Sequence, residues 1–193
     1  MHPLRNHIEK IVSISDSDFE IVLGAFRLKN LNKGQYTLIE GNRCTGDMFV
    51  MKGSLMQFFI DLKGKQHITQ FAFADWWIGD YDSMLREQPS LYNIVAVEAS
   101  QVLQIDYQKL EELFTDVPAM ERYFRIIFQQ SFAVQQRRIG WMQLGVRDRY
   151  LEMLKTYPQL ERRVSQTQIA SFLGITRESL SRMKANEIKL SLK

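Results

Sequence analysis

Apolar residues recur three and four positions apart through residues 165–183. Ile169 and Leu173 are four apart and share one face of a helix. Leu180 and Met183 are three apart and share a face of a second, with Ile175 between the two pairs. Ala170 is small, as a close helix crossing requires. Gly174 falls where the chain must turn, and glycine tolerates the positive φ of a tight helix end. Ser165 with Gln168 fits a capping box, and Thr176 suits the cap of the second helix. The spacing predicts a helix-turn-helix. The polar face left on its second helix carries Arg177, Glu178, Ser181 and Arg182. Arginine can bond guanine through two N–H groups, and a carboxylate can accept from cytosine. A surface helical hairpin with solvated charges has the same spacing.

Upstream the period changes twice. Residues 1–30 read as helical, with Ser15 or Ser17 as a cap and Phe19, Val22, Leu23 and Phe26 on one side. From 31 to about 105, short runs rich in Tyr, Phe, Val, Ile and Thr alternate with glycine turns. The runs are 35–39, 48–51, 55–61, 67–73 and 93–97, with a hairpin turn at 61–65 and a helical turn or two at 80–85. Turn signals every 7–12 residues predict a β-sandwich or barrel. A short helix at 107–114 gives way at Pro118 to a long one reaching about 144, ~40 Å in length. Met120, Phe124, Ile127, Ser131, Val134 and Arg138 alternate by four and three along it, as in a two-helix seam; a helix this apolar is either a buried core helix or a dimer interface, and composition alone favours the core slightly. Phe128, Phe132, Ile139 and Met142 form a second strip suited to packing on the β-domain. Gly145 marks a hinge. A helix over 147–157 follows, with Tyr150, Leu151 and Leu154 inward.

Charge sharpens this division. Residues 1–120 hold 11 basic and 16 acidic side chains, a net of −5; residues 121–193 hold 14 and 6, a net of +8. A basic end that contains the helix-turn-helix is the electrostatic footprint of nucleic-acid binding. Cys44 is the only cysteine, which excludes an internal disulfide or a four-cysteine cluster. No apolar run is long enough to span a membrane and no signal-peptide pattern is present, so a cytoplasmic protein is expected, without membrane contact. His2, His7 and His67 read as surface residues, and no metal is expected. No nucleophile–base pair or phosphate-binding glycine loop suggests an enzyme.

Lys33-Gly34, Glu40-Gly41 and Phe49-Val50 before Gly53 form a glycine framework similar to that of cyclic-nucleotide-binding β-rolls. Together with residues 169–182 it makes the chain resemble the Crp/Fnr family of bacterial transcription regulators, over about residues 14–185. The resemblance implies an α+β fold: a β-roll sensor of jelly-roll type (1–116), a long dimerisation helix and hinge (117–145), and a small all-α helix-turn-helix domain (146–193). It implies a homodimer joined through the six-residue seam and bound to a palindromic operator in double-stranded DNA, with RNA polymerase and an unidentified small effector as further partners. Two recognition helices then stand one duplex turn, ~34 Å, apart. Arg177 and Arg182 are expected at base edges, Glu178 is expected to accept from cytosine or to orient an arginine, and Ser181 lies on the same face. Ser165, Gln166, Thr167 and Ser179 are expected at phosphates near helix starts. Family members often continue into a two-stranded wing; residues 184–193 are too few for one, so a bare reader is expected.

In relatives that bind cyclic nucleotides, a glutamate after Phe-Gly holds the ribose and an arginine with a following hydroxyl residue holds the phosphate. Here the first element reads Ile78-Gly79-Asp80, and the arginine and hydroxyl positions fall on Ser90 and Leu91. A phosphate buried there would be left largely unpaired, which is costly. The expectation is a regulator that does not take cyclic AMP in the family's usual way. The alternative is a divergent pocket of Gly79, Asp80 and Ser90 in which Arg86 supplies the cation. One cysteine and no evident haem ligand leave no cofactor expected. The aromatic group Phe71, Phe73, Trp76, Trp77 and Tyr81 reads as barrel core in preference to a ligand pocket.

Overall fold

The chain begins with two short helices joined by a turn that sets Val12 into the core. In the computed structural model, which describes residues 2–191, Pro3 opens α1 (Pro3–Glu9), where its fixed φ suits a first helical turn. Ser15, not Ser17, caps α2 (Asp16–Ala25), its hydroxyl accepting from the Asp18 amide at 3.1 Å. Phe19, Val22 and Phe26 are buried as expected, but Leu23 is exposed.

Strand β1 (Arg27–Leu31) follows, in a stretch expected to be helical. Its residues are exposed up to Leu31, and it pairs only with β8 (Ser100–Asp106), so burial gave no signal for it. The remaining strands are β2 (Tyr36–Leu38), β3 (Gly46–Lys52), β4 (Ser54–Ile60), β5 (Gln66–Phe73), β6 (Trp77–Ile78) and β7 (Asn93–Ala96). They form two four-stranded antiparallel sheets, ordered β1-β8-β3-β6 and β2-β7-β4-β5. The chain crosses from β3 in one sheet to β4 in the other at Gly53, where φ is +89° and an added Cβ would lie 2.2 Å from the Ser100 hydroxyl. Glycine alone fits that corner. α3 (Tyr81–Arg86) interrupts the roll where a helical turn was expected.

After the roll come α4 (Tyr107–Asp116), α5 (Pro118–Trp141), α6 (Val146–Thr156), α7 (Leu160–Arg163), α8 (Gln166–Phe172) and α9 (Arg177–Ser191). α5 has 24 residues and ends at Trp141, three residues short of the expectation. No helix among the described residues is long and apolar enough to cross a membrane. The chain divides into two compact units: residues 1–59 with 69–130, and residues 60–68 with 131–193.

The first unit is held by an aromatic core that α5 enters. Met120, Tyr123 and Phe124 are fully buried beside Phe49, Trp77 and Leu110. Tyr123 Oη accepts from Trp77 Nε1 at 3.0 Å and lies 2.7 Å from His7 Nδ1. Burial lowers the pKa of His7, which favours its neutral ring beside this hydroxyl. His7 is therefore a core-side hydrogen-bond partner, against the expectation of a surface residue; its companion Tyr123 lies 116 residues away. His2 also packs inward, against Phe19. Phe71, Phe73 and Trp77 are core, as the preferred reading had it.

Asp47 on β3 is one of two buried aspartates of this unit among the described residues, with Asp80. It accepts from the Met48 amide at 2.9 Å and from the Tyr81 hydroxyl. Burial pushes its pKa from 3.8 up to about 6, while those two hydrogen bonds pull downward. Burial also holds the Tyr81 phenol and the Cys44 thiol above their ordinary values, so neither titrates nearby. The folded chain thus keeps a proton on Asp47 that the unfolded chain releases near pH 4. Stability from this site is highest below that pH and falls as pH rises through 6. Relative to Asp47→Asn, the wild type should lose on the order of 2–3 kcal/mol between pH 4 and pH 7. Denaturant unfolding at the two pH values measures this, and a gap that stays constant contradicts it.

Candidate nucleic-acid interface and sensor cassette

In the second unit, α8 and α9 meet around a turn whose every cap is supplied locally. Ser165 Oγ accepts from the Gln168 amide at 3.2 Å, and the Ser165 amide donates to Gln168 Oε1 at 2.8 Å, which completes the capping box. Gly174 has φ +69°, and an added Cβ would come within 2.9 Å of the Met142 methyl. Thr176 Oγ1 accepts from the Ser179 amide at 3.2 Å and fixes the start of α9. Ile169, Ala170, Phe172, Leu173 and Leu180 are buried. Phe172 meets Tyr157 edge-on, with ring centroids 5.3 Å apart.

Three contacts brace this pair from outside it. The Arg138 guanidinium lies 4.2 Å from the centre of the Phe172 ring and donates to the carbonyls of Ile68 (3.2 Å) and Phe172 (3.3 Å). Ser171 Oγ donates to the Gln66 carbonyl at 2.8 Å and accepts from the Ile68 amide at 3.1 Å. Arg149 donates to the carbonyls of Leu173 (2.7 Å) and Leu144 (3.0 Å). The 60–68 turn that receives the first two is itself closed by Asp61, which accepts from Lys63, Lys65 and His67. His67 is accordingly half-buried and bonded. Sequence reading missed Ser171 and Arg149, whose partners are backbone atoms that no side-chain pattern marks.

What stays outside is polar. Ser165, Gln166, Thr167, Arg177, Glu178, Ser181 and Arg182 are all exposed, and Ser179 is half-buried under Thr176. Gln166, Arg177 and Ser181 line one groove of about 340 Å³ together with Lys184. Thr167, Ser179 and Arg182 stand outside its lining. Lys184, which sequence reading passed over, also pairs with Glu161, and Glu161 accepts from Tyr150 at 2.7 Å. The Glu178 carboxyl is held below its usual range by its own backbone amide and the Thr176 hydroxyl. It therefore folds onto the head of α9. Helix α9 continues to Ser191, where a wing would have needed strands.

The seam expected along α5 divides differently. Met120 and Phe124 are sealed in the core of their own chain, and Arg138 is engaged with Phe172. Ile127 and Val134 are half-buried, and only Ser131 of the six is exposed. The exposed apolar residues are Phe128, Phe132 and Ile139, at 38%, 65% and 68%, the strip expected to pack inward. One residue along a helix is a ~100° rotation, and the core selected the neighbouring face.

At the sensor cassette, Asp80 caps α3, accepting from the Ser83 amide at 3.3 Å, and Ser90 Oγ donates to Asp80 Oδ2 at 2.6 Å. Both are buried. The Gly79 carbonyl accepts from Gln57 at 3.2 Å. Arg86 is not brought to them: it is exposed and pairs with Asp82 at 2.8 Å. A phosphate entering here meets a carboxylate already bonded to the hydroxyl beside it.

The chain thus carries a β-roll followed by a long helix and a capped helix-turn-helix. Residues 28–116 match the cyclic nucleotide-binding domain family. The transcriptional regulatory protein btr of Bordetella pertussis is 24% identical over 143 residues, 68% of this chain and 58% of that protein. The transcriptional activator protein anr of Pseudomonas aeruginosa is 23% identical over 193 residues, 94% of this chain and 77% of that protein. The c-di-GMP-responsive global regulator CLP of Xanthomonas campestris has the same fold, with a TM-score of 0.75 and 15% identity across 92% of this chain and 94% of its own. The chain spans a little over half the length of the Bordetella protein.

Removing the Ser165 hydroxyl leaves the Gln168 amide without its cap. Ser165→Ala should cost about 1 kcal/mol. In a chain of this size that lowers the melting midpoint by ~2–4 °C. An unchanged midpoint by calorimetry contradicts the cap.

Proposed function

We propose that this chain is a cytoplasmic, homodimeric DNA-binding transcription regulator of the Crp/Fnr type. The observation that carries the reading is the start of α9: a helix capped by Thr176, with Arg177, Ser181 and Arg182 exposed on it. An exposed helix start of that composition suits a major groove. Arg177 and Arg182 read bases, with guanine favoured. Glu178, bonded at the head of its own helix, orients Arg177 in preference to reaching cytosine. Ser165, Gln166 and Thr167 meet phosphate at the start of α8, and Lys184 joins them from across the groove.

Pairing comes from a second copy of the chain. Phe128, Phe132, Gln135 and Ile139 follow one another by four, three and four residues, the repeat of a two-helix coiled coil. Three large apolar side chains open to water on one helix face favour self-association. Two copies related by a two-fold axis present two readers to a palindrome. RNA polymerase is the further partner of this reading.

The Asp80–Ser90 pair supports a regulator that does not hold a cyclic nucleotide by the phosphate mode. Nothing in the placement of Arg86 favours the alternative. Calorimetric titration with cyclic AMP and cyclic GMP tests this point; heat at millimolar ligand or below contradicts it.

Selection from random duplexes should yield a palindrome. Arg182→Ala should weaken binding to it by ~1–3 kcal/mol and relax one base pair per half-site. An equal loss on all sequences would assign Arg182 to phosphate. Phe132→Glu should give a monomer by sedimentation equilibrium and lose the palindrome, because a buried unpaired carboxylate opposes association. A dimer that persists rules out this seam.

A further inference from the structure

Within the first unit, a cavity of about 290 Å³ opens between β3, α3, α4 and α5. It is separate from the cassette, since Gly79, Asp80, Arg86 and Ser90 do not line it. Met84 and Leu85 of α3, Leu110 and Phe114 of α4, and Phe128 of α5 form apolar walls. Two of its aromatic groups stand edge-on, with the Tyr81 and Phe128 centroids 5.2 Å apart. Its size is at the small end of the ~300–1,000 Å³ usual for small-molecule sites.

Two polar groups mark the lining. Asp47 is itself 2% exposed and accepts from Tyr81 and the Met48 amide. Its two oxygens offer about four acceptor positions, so roughly two remain. Glu111 accepts from the Tyr107 hydroxyl. The charged residues of the lining are both carboxylates. An anion placed among them would lose its water and gain no cation. A planar ring finds aromatic edges and faces to pack against.

We propose that this cavity binds a small planar aromatic molecule that carries a hydrogen-bond donor and no negative charge. The ring system lies among Met84, Leu110, Phe114 and Phe128, and the donor reaches Asp47. Because Phe128 is both a wall of the cavity and the first residue of the outward strip on α5, an occupant bears directly on the proposed seam. As an effector site this rests on the regulator reading above; as a binding site it stands apart from it.

Two fluorescent probes of nearly the same shape test the assignment. N-phenyl-1-naphthylamine is neutral with one N–H donor, and 8-anilinonaphthalene-1-sulfonate adds a sulfonate. The full-length protein should bind the neutral probe about tenfold or more tightly than the sulfonate. Leu85→Trp, at an exposed rim position that tolerates change, and Leu110→Phe, inside, should each weaken the neutral probe about tenfold by filling the space. Equal binding of the two probes, or neutral-probe binding unchanged in both variants, overturns the proposal. Operator selection by the wild type without probe is a separate readout. Its failure removes the regulator reading and leaves the probe result standing.

Discussion

The Tyr123 hydroxyl, held between Trp77 and His7, sets the rotation of α5. A long helix offers its neighbours a choice of faces, and apolar burial alone tolerates slippage among them. A hydroxyl bonded to two fixed partners does not. With Tyr123 fixed, Met120 and Phe124 enter the core and Phe128 lies at its edge, against Tyr81. Breaking the Tyr123 bonds would free the helix to turn and change which side chains it presents.

The second unit uses the same economy of means at the reader. Its turn is closed by side chains that cap local backbone, and Arg138, Ser171 and Arg149 bond carbonyls and an amide of neighbouring segments. The exposed face of α9 can then carry arginines without a packing role. In the first unit the cassette is closed by its own Asp80–Ser90 bond, and the open space lies elsewhere, against Phe128.

How much of this could be read beforehand depended on the range of the interaction. The capping box, the Gly174 turn, the Thr176 cap and the Asp61 turn each lie within five residues of sequence, and local chemistry signalled all of them. The glycine framework likewise predicted the roll. Strand β1 escaped because its outward residues lack the apolar alternation that marks a half-buried strand. His7 was misread because Tyr123 is 116 residues distant. Along α5, 3–4 spacing fits two faces equally well. Only the core, which takes Met120, Tyr123 and Phe124 together, decides between them.

That choice of face is the central claim, and cysteine cross-linking reads it directly. In a Cys44→Ser background, Gln135→Cys lies on the outward strip and Val134→Cys one residue and ~100° away. Mild oxidation should convert the Gln135→Cys protein to a covalent dimer and leave the Val134→Cys protein monomeric under denaturing conditions. The reverse result would return the seam to Ile127, Ser131 and Val134 and contradict the account.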